Sequence, residues 1–326
     1  MTDQAITISP DLLDGSWALP RICRRRPPWT KNRISLPLDT FYRFKRTGAG
    51  VDLYVIDSGL DTAHSEIAGR ATNVYEYYSS GGLGDDHGHG TGVASCAAGE
   101  TCGPARGAEI FSFKVYNSSG NTDATAVNAA MSQVLSHYTS RAGLGRPAIC
   151  NISVAFPTDS VSSGVAALID AGIPVAAAVH NNALQLGSGV NAYPAMNADV
   201  LAVGGIGMAD TPYYLGNSQD EFGTLQVGTN WGAAIDILAP AQHVRMANAA
   251  VLGGGFRTWS GTSFSAPFVA GVLACMLEGG PRLSSRTEVQ TLNSLLLANA
   301  TTGQFQPAEG WGIGSLPDRI LYLSPD

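Results

Sequence analysis

The stretch V-D-L-Y-V-I-D-S-G, residues 51–59, is the first of several similar apolar runs in the chain. It is a short run of apolar and aromatic residues that ends in an Asp-Ser-Gly turn, which is typical of a buried parallel strand. Comparable runs follow at 109–115, 148–154, 173–179, 200–203 and 235–238, and helical patterns lie at 90–98, 124–141, 160–171, 263–277 and 286–298. This alternation predicts an α/β fold of three layers, a mostly parallel sheet with helices on both faces.

The length and composition of the chain indicate one large domain. The 326 residues are 44% hydrophobic and 14% charged, which is enough apolar material for a substantial core. Residues 1–27 differ from the rest, since they contain prolines, a basic cluster and little periodicity. We therefore predict a main domain over 28–326, preceded by an N-terminal extension at 1–27.

The charge of the chain and its first residues limit its partners and location. A net charge of −7 argues against nucleic acid as the main partner, because neutralising phosphates requires a basic face. No apolar run is long enough to span a bilayer, so we expect no membrane partner. The start has neither a basic leader nor an apolar segment, which predicts a cytoplasmic protein, with secretion by another route left open. We also expect a monomer. The five cysteines lack metal-ligand spacing, and we expect all five to be free thiols.

Three motifs stand where predicted strands end or helices begin. Asp57 closes the first strand, His89 opens a helix in D-H-G-H-G-T-G-V-A (86–94), and Ser263 opens another in G-T-S-F-S-A-P-F-V-A-G (261–271). Taken alone, these residues could be a turn former, a structural histidine and a helix cap. A serine nucleophile, however, needs an imidazole as general base, and the imidazole needs a carboxylate that fixes its tautomer. The three motifs together therefore indicate nucleophilic catalysis, with the helix N-terminus stabilising the oxyanion.

These motifs resemble the three active-site signatures of the subtilisin-like serine proteases (peptidase S8 family), in the proteinase K-like branch. The resemblance covers roughly residues 28–324 and implies a subtilisin-like fold and a serine endopeptidase acting on polypeptides. By this resemblance, Asp57 orients His89, His89 is the general base and later the acid, and Ser263 is the acylating nucleophile.

The resemblance also implies that an asparagine, which follows a strand in the sequence, donates a side-chain hydrogen bond to the oxyanion. The corresponding stretch is G-I-P-V-A-A-A-V-H-N-N, residues 172–182. Counted from Gly172, the donor is Asn181, and His180 replaces a glycine of the family. Counted from the alanine run, the donor is His180. We prefer Asn181, because the start of the strand at Gly172 is the more reliable point from which to align this stretch with the family.

Two extended segments of the family bind the substrate backbone as added strands, and both have counterparts here. They supply the candidate substrate-binding residues Ser119, Gly120, Ser153, Val154 and Ala155. Ala155 and the following Phe156 replace glycines, so we expect a narrower first specificity pocket or a more crowded groove.

We expect no cofactor for catalysis and at most a structural calcium ion. The resemblance places the candidate ligands at the carbonyls of Ala198 and Val200 and the carboxylate of Asp236. Calcium takes six to eight oxygens and usually more than one carboxylate, so this would be a weak site. A purely structural Asp236 is the other interpretation.

The N-terminal extension has two interpretations. Residues 17–22, W-A-L-P-R-I, could lie across the active site as an autoinhibitory segment, in which Pro20 misplaces the scissile bond. The alternative is a disordered tail.

The sequence leaves two other functions open. One is a non-catalytic binding protein, which stays open because Ala155, Phe156 and His180 replace glycines of the family. The other is a peptide transferase or cyclase, in which an amine instead of water intercepts the acyl-enzyme. The segment 207–228 is the only candidate for an insertion over the groove that such an enzyme would need.

Overall fold

A computed structural model of the chain describes residues 4–7, 16–26, 41–78, 82–216, 227–307 and 314–324. In chain order, their strands are β1 (Gln4–Thr7), β2 (Phe41–Phe44), β3 (Asp52–Asp57), β4 (Ala71–Glu76), β5 (Glu109–Lys114), β6 (Ala148–Ile152), β7 (Val175–Ala178), β8 (Leu201–Ile206), β9 (Ile237–Pro240), β10 (Val244–Ala247) and β11 (Phe256–Trp259). The helices are α1 (Ala18–Ile22), α2 (His89–Ala98), α3 (Ala124–Ser140), α4 (Ser162–Asp170), α5 (Thr262–Leu277) and α6 (Arg286–Asn299).

Seven strands form the central sheet in the order β4-β5-β3-β6-β7-β8-β9, and all neighbours are parallel. Every residue of β3, β6, β7, β8 and β9 is buried, which explains the continuous apolar runs of the sequence. Because the strands are parallel, their carboxyl ends meet at one edge of the sheet, where the functional residues of such folds collect. The predicted α/β fold is confirmed.

Helices cover both faces of the sheet and complete the three layers. α2 and α5 pack against each other, and α5 also contacts β6, β7, β8 and β9. The two helices approach closely, since a Cβ atom on Gly271 would lie 2.3 Å from the carbonyl oxygen of Ala97. α3, α4 and α6 form a second group, in which α4 contacts both of the others. Glycine at position 271 is therefore what allows α5, which carries Ser263, to lie against α2, which begins at His89.

The sequence analysis did not predict the outer strands. β4 forms one edge of the sheet, and its side chains are half-buried or exposed, so it lacks a continuous apolar run. β10 and β11 form a separate antiparallel hairpin. Partial burial weakens the pattern from which a strand is predicted.

The described part of the N-terminal extension belongs to the main core. Trp17 and Ile22 are fully buried, and the indole Nε1 of Trp17 donates to the carbonyl of Gln242 at 3.1 Å. Arg21 is also fully buried, and its guanidinium pairs with both carboxylate oxygens of Asp210, at 2.6 and 3.1 Å. Both interpretations of residues 17–22 are therefore wrong: the segment is neither a disordered tail nor a strap across the active site. The domain boundary at residue 27 stays a prediction.

The five cysteines are all free and buried, as predicted. Burial raises the pKa of the Cys96, Cys102, Cys150 and Cys275 thiols, so these four groups stay protonated at neutral pH. None of the helices in the described ranges is both long and apolar enough to cross a bilayer. The oligomeric state stays a prediction.

Candidate active site

A cavity of about 450 Å³ opens where the carboxyl ends of β6 and β7 meet the N-termini of α2 and α5. Most of the residues that the sequence analysis selected line this one space. They are His89, Gly120, Ser153, Val154, Ala155, His180, Asn181 and Ser263. Residues from five separate stretches of the chain therefore meet as the topology of the sheet requires.

Asp57 and His89 form a buried pair beside this cavity. The carboxylate Oδ1 of Asp57 lies 2.8 Å from Nδ1 of His89, and Asp57 is fully buried while His89 keeps 12% of its side chain exposed. The same Oδ1 accepts the backbone N–H of Ser58 at 2.8 Å, which fixes the carboxylate on its strand. With Nδ1 directed at the carboxylate, Nε2 of His89 is the nitrogen left for proton exchange with a nucleophile.

A glycine allows the histidine helix to approach the aspartate strand. A Cβ atom on Gly90 would lie 2.3 Å from the carbonyl oxygen of Gly59, just after β3. The N–H of Gly90 also donates to the hydroxyl of Ser58 at 2.8 Å. Any larger residue at position 90 would push α2, and with it His89, away from Asp57.

Asp85 organises the same region, and the sequence analysis missed it. Its Oδ1 accepts the hydroxyl of Ser58 at 2.8 Å and the N–H of Gly88 at 2.7 Å. Its Oδ2 accepts the N–H of Thr91 at 2.9 Å, within the first turn of α2. Asp85 thus ties the helix that carries His89 to the residue next to Asp57. A carboxylate shortly before a helix start was the available signal, because it satisfies free N–H groups there.

Aromatic rings surround the imidazole of His89. Ring centroids lie 5.4 Å away for Phe264, 5.8 Å for Trp259 and 6.3 Å for Tyr116. Burial, and to a smaller extent the charge of Asp57, raises the pKa of Tyr116, so that ring carries no charge at neutral pH. The rings confine the imidazole and leave Asp57 as the carboxylate that contacts it.

Ser263 lies in the first turn of α5, where Gly261 is the N-cap residue and Oδ1 of Asn181, not the hydroxyl of Ser263, accepts a free N–H group at the start of the helix. The helix-cap explanation of Ser263 is therefore wrong. Pro267 lies one turn further on and has no N–H to donate to the carbonyl of Ser263. The hydroxyl of Ser153 donates to that carbonyl instead, at 2.8 Å, and accepts from Nδ2 of Asn151 at 2.9 Å.

Asn181 is positioned by the residue that precedes Ser263. Oδ1 of Asn181 accepts the N–H of Thr262 at 2.7 Å and its hydroxyl at 3.0 Å. Since an N–H can only donate, the oxygen of the amide must face Thr262, and Nδ2 remains as a donor toward the cavity. The ring of His180 is used differently, because its Nδ1 accepts the N–H of Asn181 at 2.9 Å. This geometry favours Asn181 over His180 as the oxyanion donor.

The two predicted substrate segments are only partly brought to the cavity. Gly120, Ser153, Val154 and Ala155 line it, as does Phe156, whose backbone pairs with that of Tyr193. Ser119 does not line it, and its role in substrate binding stays a prediction. Its N–H donates to Oδ1 of Asn117 at 3.0 Å in a tight turn, which leaves its side chain in solvent.

The three candidate calcium ligands lie together but away from this cavity. Ala198, Val200 and Asp236 line one separate cleft, and Oδ2 of Asp236 accepts the N–H of Ala202 at 2.9 Å. Burial raises the pKa of Asp236, while Asp199 next to it binds Arg286 at 2.7 Å. Within the described part of the chain, no cluster of three His, Cys, Asp or Glu residues could hold a metal ion. The donors are all oxygens, as calcium requires, but only one is a free carboxylate oxygen.

A buried aspartate at a strand end, with a histidine and a serine at two helix starts, is the arrangement of a serine hydrolase. Comparison with known proteins gives the family: a model described as the subtilase family, peptidase S8, matches residues 48–314. The chain belongs to this family, which confirms the resemblance in the motifs.

Individual relatives agree with this assignment. Proteinase R of Parengyodontium album is 32% identical over 287 residues, which cover 86% of this chain and 68% of the relative. Alkaline serine exoprotease A of Vibrio alginolyticus is 28% identical over 99% of this chain, which spans only 53% of that relative. A solved structure of a cold-adapted subtilisin-like serine proteinase matches 95% of this chain and 98% of its own, with a TM-score of 0.74 and 26% identity.

The same relatives correct the predicted location. The chain spans about half the length of the Vibrio relative. Relatives of this exoprotease and proteinase K-like kind point to secretion, so the prediction of a cytoplasmic protein is wrong. That prediction relied on the composition of the first residues, and the kind of protease that the chain resembles outweighs it.

Proposed function

We propose that this chain hydrolyses peptide bonds through an acyl-enzyme on Ser263, with His89 as general base and Asp57 as its orienting carboxylate. The observation that carries the proposal is the 2.8 Å contact between His89 Nδ1 and Asp57 Oδ1, beside a cavity that both His89 and Ser263 line. This contact leaves Nε2 unprotonated in the neutral ring, which is the form that can accept a proton from a serine hydroxyl.

The reaction then follows from the positions of these groups. His89 Nε2 takes the proton of the Ser263 hydroxyl while the serine oxygen attacks the scissile carbonyl carbon. Asn181 Nδ2 and the N–H of Ser263 at the helix N-terminus stabilise the resulting oxyanion. His89 next gives its proton to the leaving amine, which breaks the peptide bond and leaves the acyl-enzyme. A water molecule, deprotonated by His89, releases the acid and restores the serine.

The substrate backbone would lie between the two segments at Gly120 and at 153–155. Both segments line the cavity, and an extended peptide can pair with their backbone groups. Ala155 and Phe156 carry side chains into this space. We therefore expect a preference for small or narrow side chains before the scissile bond. A calcium ion held by Ala198, Val200 and Asp236 would support the fold and take no part in catalysis.

A non-catalytic binding protein is not favoured, because Asp57 contacts His89 while His89, Asn181 and Ser263 line one cavity. A transferase or cyclase is not favoured either. Its candidate insertion, 207–228, lies partly outside the described residues, and none of its described residues lines the cavity.

The proposed function is tested by labelling the full chain with a fluorophosphonate, which reacts with an activated serine. We expect labelling of the wild type and none of Ser263→Ala, while Ser132→Ala, which removes an exposed hydroxyl on α3, labels like the wild type. Product masses from a long peptide should then show hydrolysis products only. Unlabelled wild type would support the binding protein, and ligated products would support the transferase.

A further inference from the structure

His180 combines a strained backbone with a hydrogen bond to the oxyanion donor. Its φ is +73°, a left-handed conformation that favours glycine, and the resemblance places a glycine of the family here. A histidine is nevertheless present, and its Nδ1 accepts the N–H of Asn181 at 2.9 Å. The backbone strain is of the kind that persists where surrounding contacts enforce it and often marks functional sites.

The accepted hydrogen bond fixes the protonation state of His180. Nδ1 can accept the N–H of Asn181 only while it carries no proton itself. Once Nδ1 is protonated, two N–H groups face each other and the contact becomes repulsive. Asn181 would then keep its carbonyl contact with the N–H of Gly228 at 3.2 Å and its side-chain contact with Thr262, but lose the bond to its own N–H.

We propose that His180 is a positioning residue: its neutral imidazole holds the backbone of Asn181 in place for the oxyanion, and protonation of His180 releases it. This role rests on the proposed function of Asn181 as oxyanion donor. It gives the peptidase a second acid-sensitive group, separate from His89. Loss of one oxyanion donor lowers kcat by about 10²–10³-fold, and protonation of His180 approaches this loss to the extent that release of the Asn181 backbone moves its Nδ2 away from the oxyanion.

His180 lies exposed at the edge of the cavity. Partial desolvation by the surrounding residues lowers the pKa of His180, and a hydrogen bond with Asn182 acts in the opposite direction. The described lining of the cavity contains no Asp, Glu, Lys or Arg, and its other titratable groups are His87, His89 and Tyr116. Behind His180, the contact comes from the N–H of Asn230 to the His180 carbonyl at 3.2 Å, which involves no titratable side chain.

The consequence is a steep loss of activity in acid. Where protonation of either His89 or His180 stops the reaction, the logarithm of kcat falls with a slope of about two at pH values below both pKa values. With His89 alone, the slope is about one. The slope therefore distinguishes a His180 that positions Asn181 from a His180 that only shapes the pocket. A residue of the second kind would change KM and leave the slope unaltered.

The test measures kcat from about pH 4 to pH 8 on a fluorogenic peptide, a range that spans ordinary histidine pKa values, with active sites counted by fluorophosphonate labelling. His180→Gly removes the ring and suits a positive φ, and His180→Asn supplies an acceptor that does not titrate and also tolerates that φ. We expect a slope of about two in the wild type and about one in both variants. At high pH we expect His180→Gly to lose more kcat than His180→Asn, with KM nearly unchanged.

Equal slopes in all three proteins, with Ser263 labelled, would overturn the role of His180 and leave the proposed function intact. Absence of labelling would overturn both. A direct readout uses Ser263→Ala, which cannot digest itself, with ¹⁵N-labelled histidine and backbone. The amide resonance of Asn181 should shift with the same midpoint as the His180 ring, and an Asn181 resonance that follows only the His89 midpoint would also contradict the proposal.

Discussion

The hydroxyl of Ser153 donates to the backbone carbonyl of Ser263 at 2.8 Å, at the point where Pro267 removes the normal helical bond. The nucleophile is thus held through its own carbonyl by a residue from the end of another strand. This contact explains why a proline can lie in the second turn of α5 without leaving a buried carbonyl unpaired. It also gives Ser153, which we selected as a substrate-binding residue, a second role.

Replacing Ser153 by alanine should lower kcat. The carbonyl of Ser263 would lose its donor, and one hydrogen bond of this kind contributes about 1 kcal/mol, which predicts a loss of roughly five- to tenfold. The measurement is kcat per labelled active site. Ser132→Ala removes an exposed hydroxyl on α3 that contacts neither Ser263 nor the cavity and should keep full activity. Equal values for the two variants would show that Ser153 does not support the nucleophile.

Asp85 should matter for both stability and turnover. Asp85→Ala leaves the N–H groups of Gly88 and Thr91 and the hydroxyl of Ser58 without their acceptor. Hydrogen bonds to charged groups contribute about 1.5–3 kcal/mol each, so we expect a loss of at least 2 kcal/mol of unfolding free energy, about that of one such bond. Denaturant titration measures it, and kcat should fall as well because the start of α2 carries His89. Asp159→Ala, at an exposed position, is the matched control, and equal effects of the two changes would refute the role of Asp85.

The buried pair of Arg21 and Asp210 should show that α1 is part of the folded peptidase. Asp210→Ala leaves a buried guanidinium without its carboxylate, and breaking such a pair costs about 3–5 kcal/mol. The double change Arg21→Met with Asp210→Leu removes both charges and should restore most of the stability, as thermal unfolding would show. If Asp210→Ala unfolded at the same temperature as the wild type, α1 would not be docked in solution. In that case, deletion of residues 1–26 would also leave the melting temperature unchanged.

Calcium should stabilise the fold weakly and through Asp236. A site with a dissociation constant of about 1 mM contributes roughly 1.4 kcal/mol at 10 mM calcium, or a few degrees in melting temperature. We expect this rise in the wild type relative to a chelator, and none in Asp236→Asn. The variant keeps an oxygen that can accept the N–H of Ala202. An equal rise in both proteins would place the calcium elsewhere, and no rise in either would leave Asp236 with a structural role only.

The sequence could predict the catalytic side chains that lie within short, recognisable motifs. Asp57, His89 and Ser263 each stand in a local signature, and the buried strand that carries Asp57 has a clear apolar pattern. Trp259 could not be found in this way, because its role depends on contact with His89, which lies far away in the sequence. Asp85 had a local signal, its position just before a helix start, but its link to Ser58 was visible only in the fold. The same reason explains the error at residues 17–22: a short, proline-containing segment has no periodicity of its own, and only its contacts with Asp210 and Gln242 reveal that it is buried.

One contact joins α1 to a segment that lies far along the chain. The carbonyl of Ile22 accepts the N–H of Leu323 at 2.7 Å, and the guanidinium of Arg25 lies over the ring of Tyr322 at 4.1 Å. Contacts between residues so distant in sequence form only when a long loop closes, and such closure slows folding. The docking of α1 therefore depends on a segment that follows every strand of the central sheet, and we expect it to be a late event in folding.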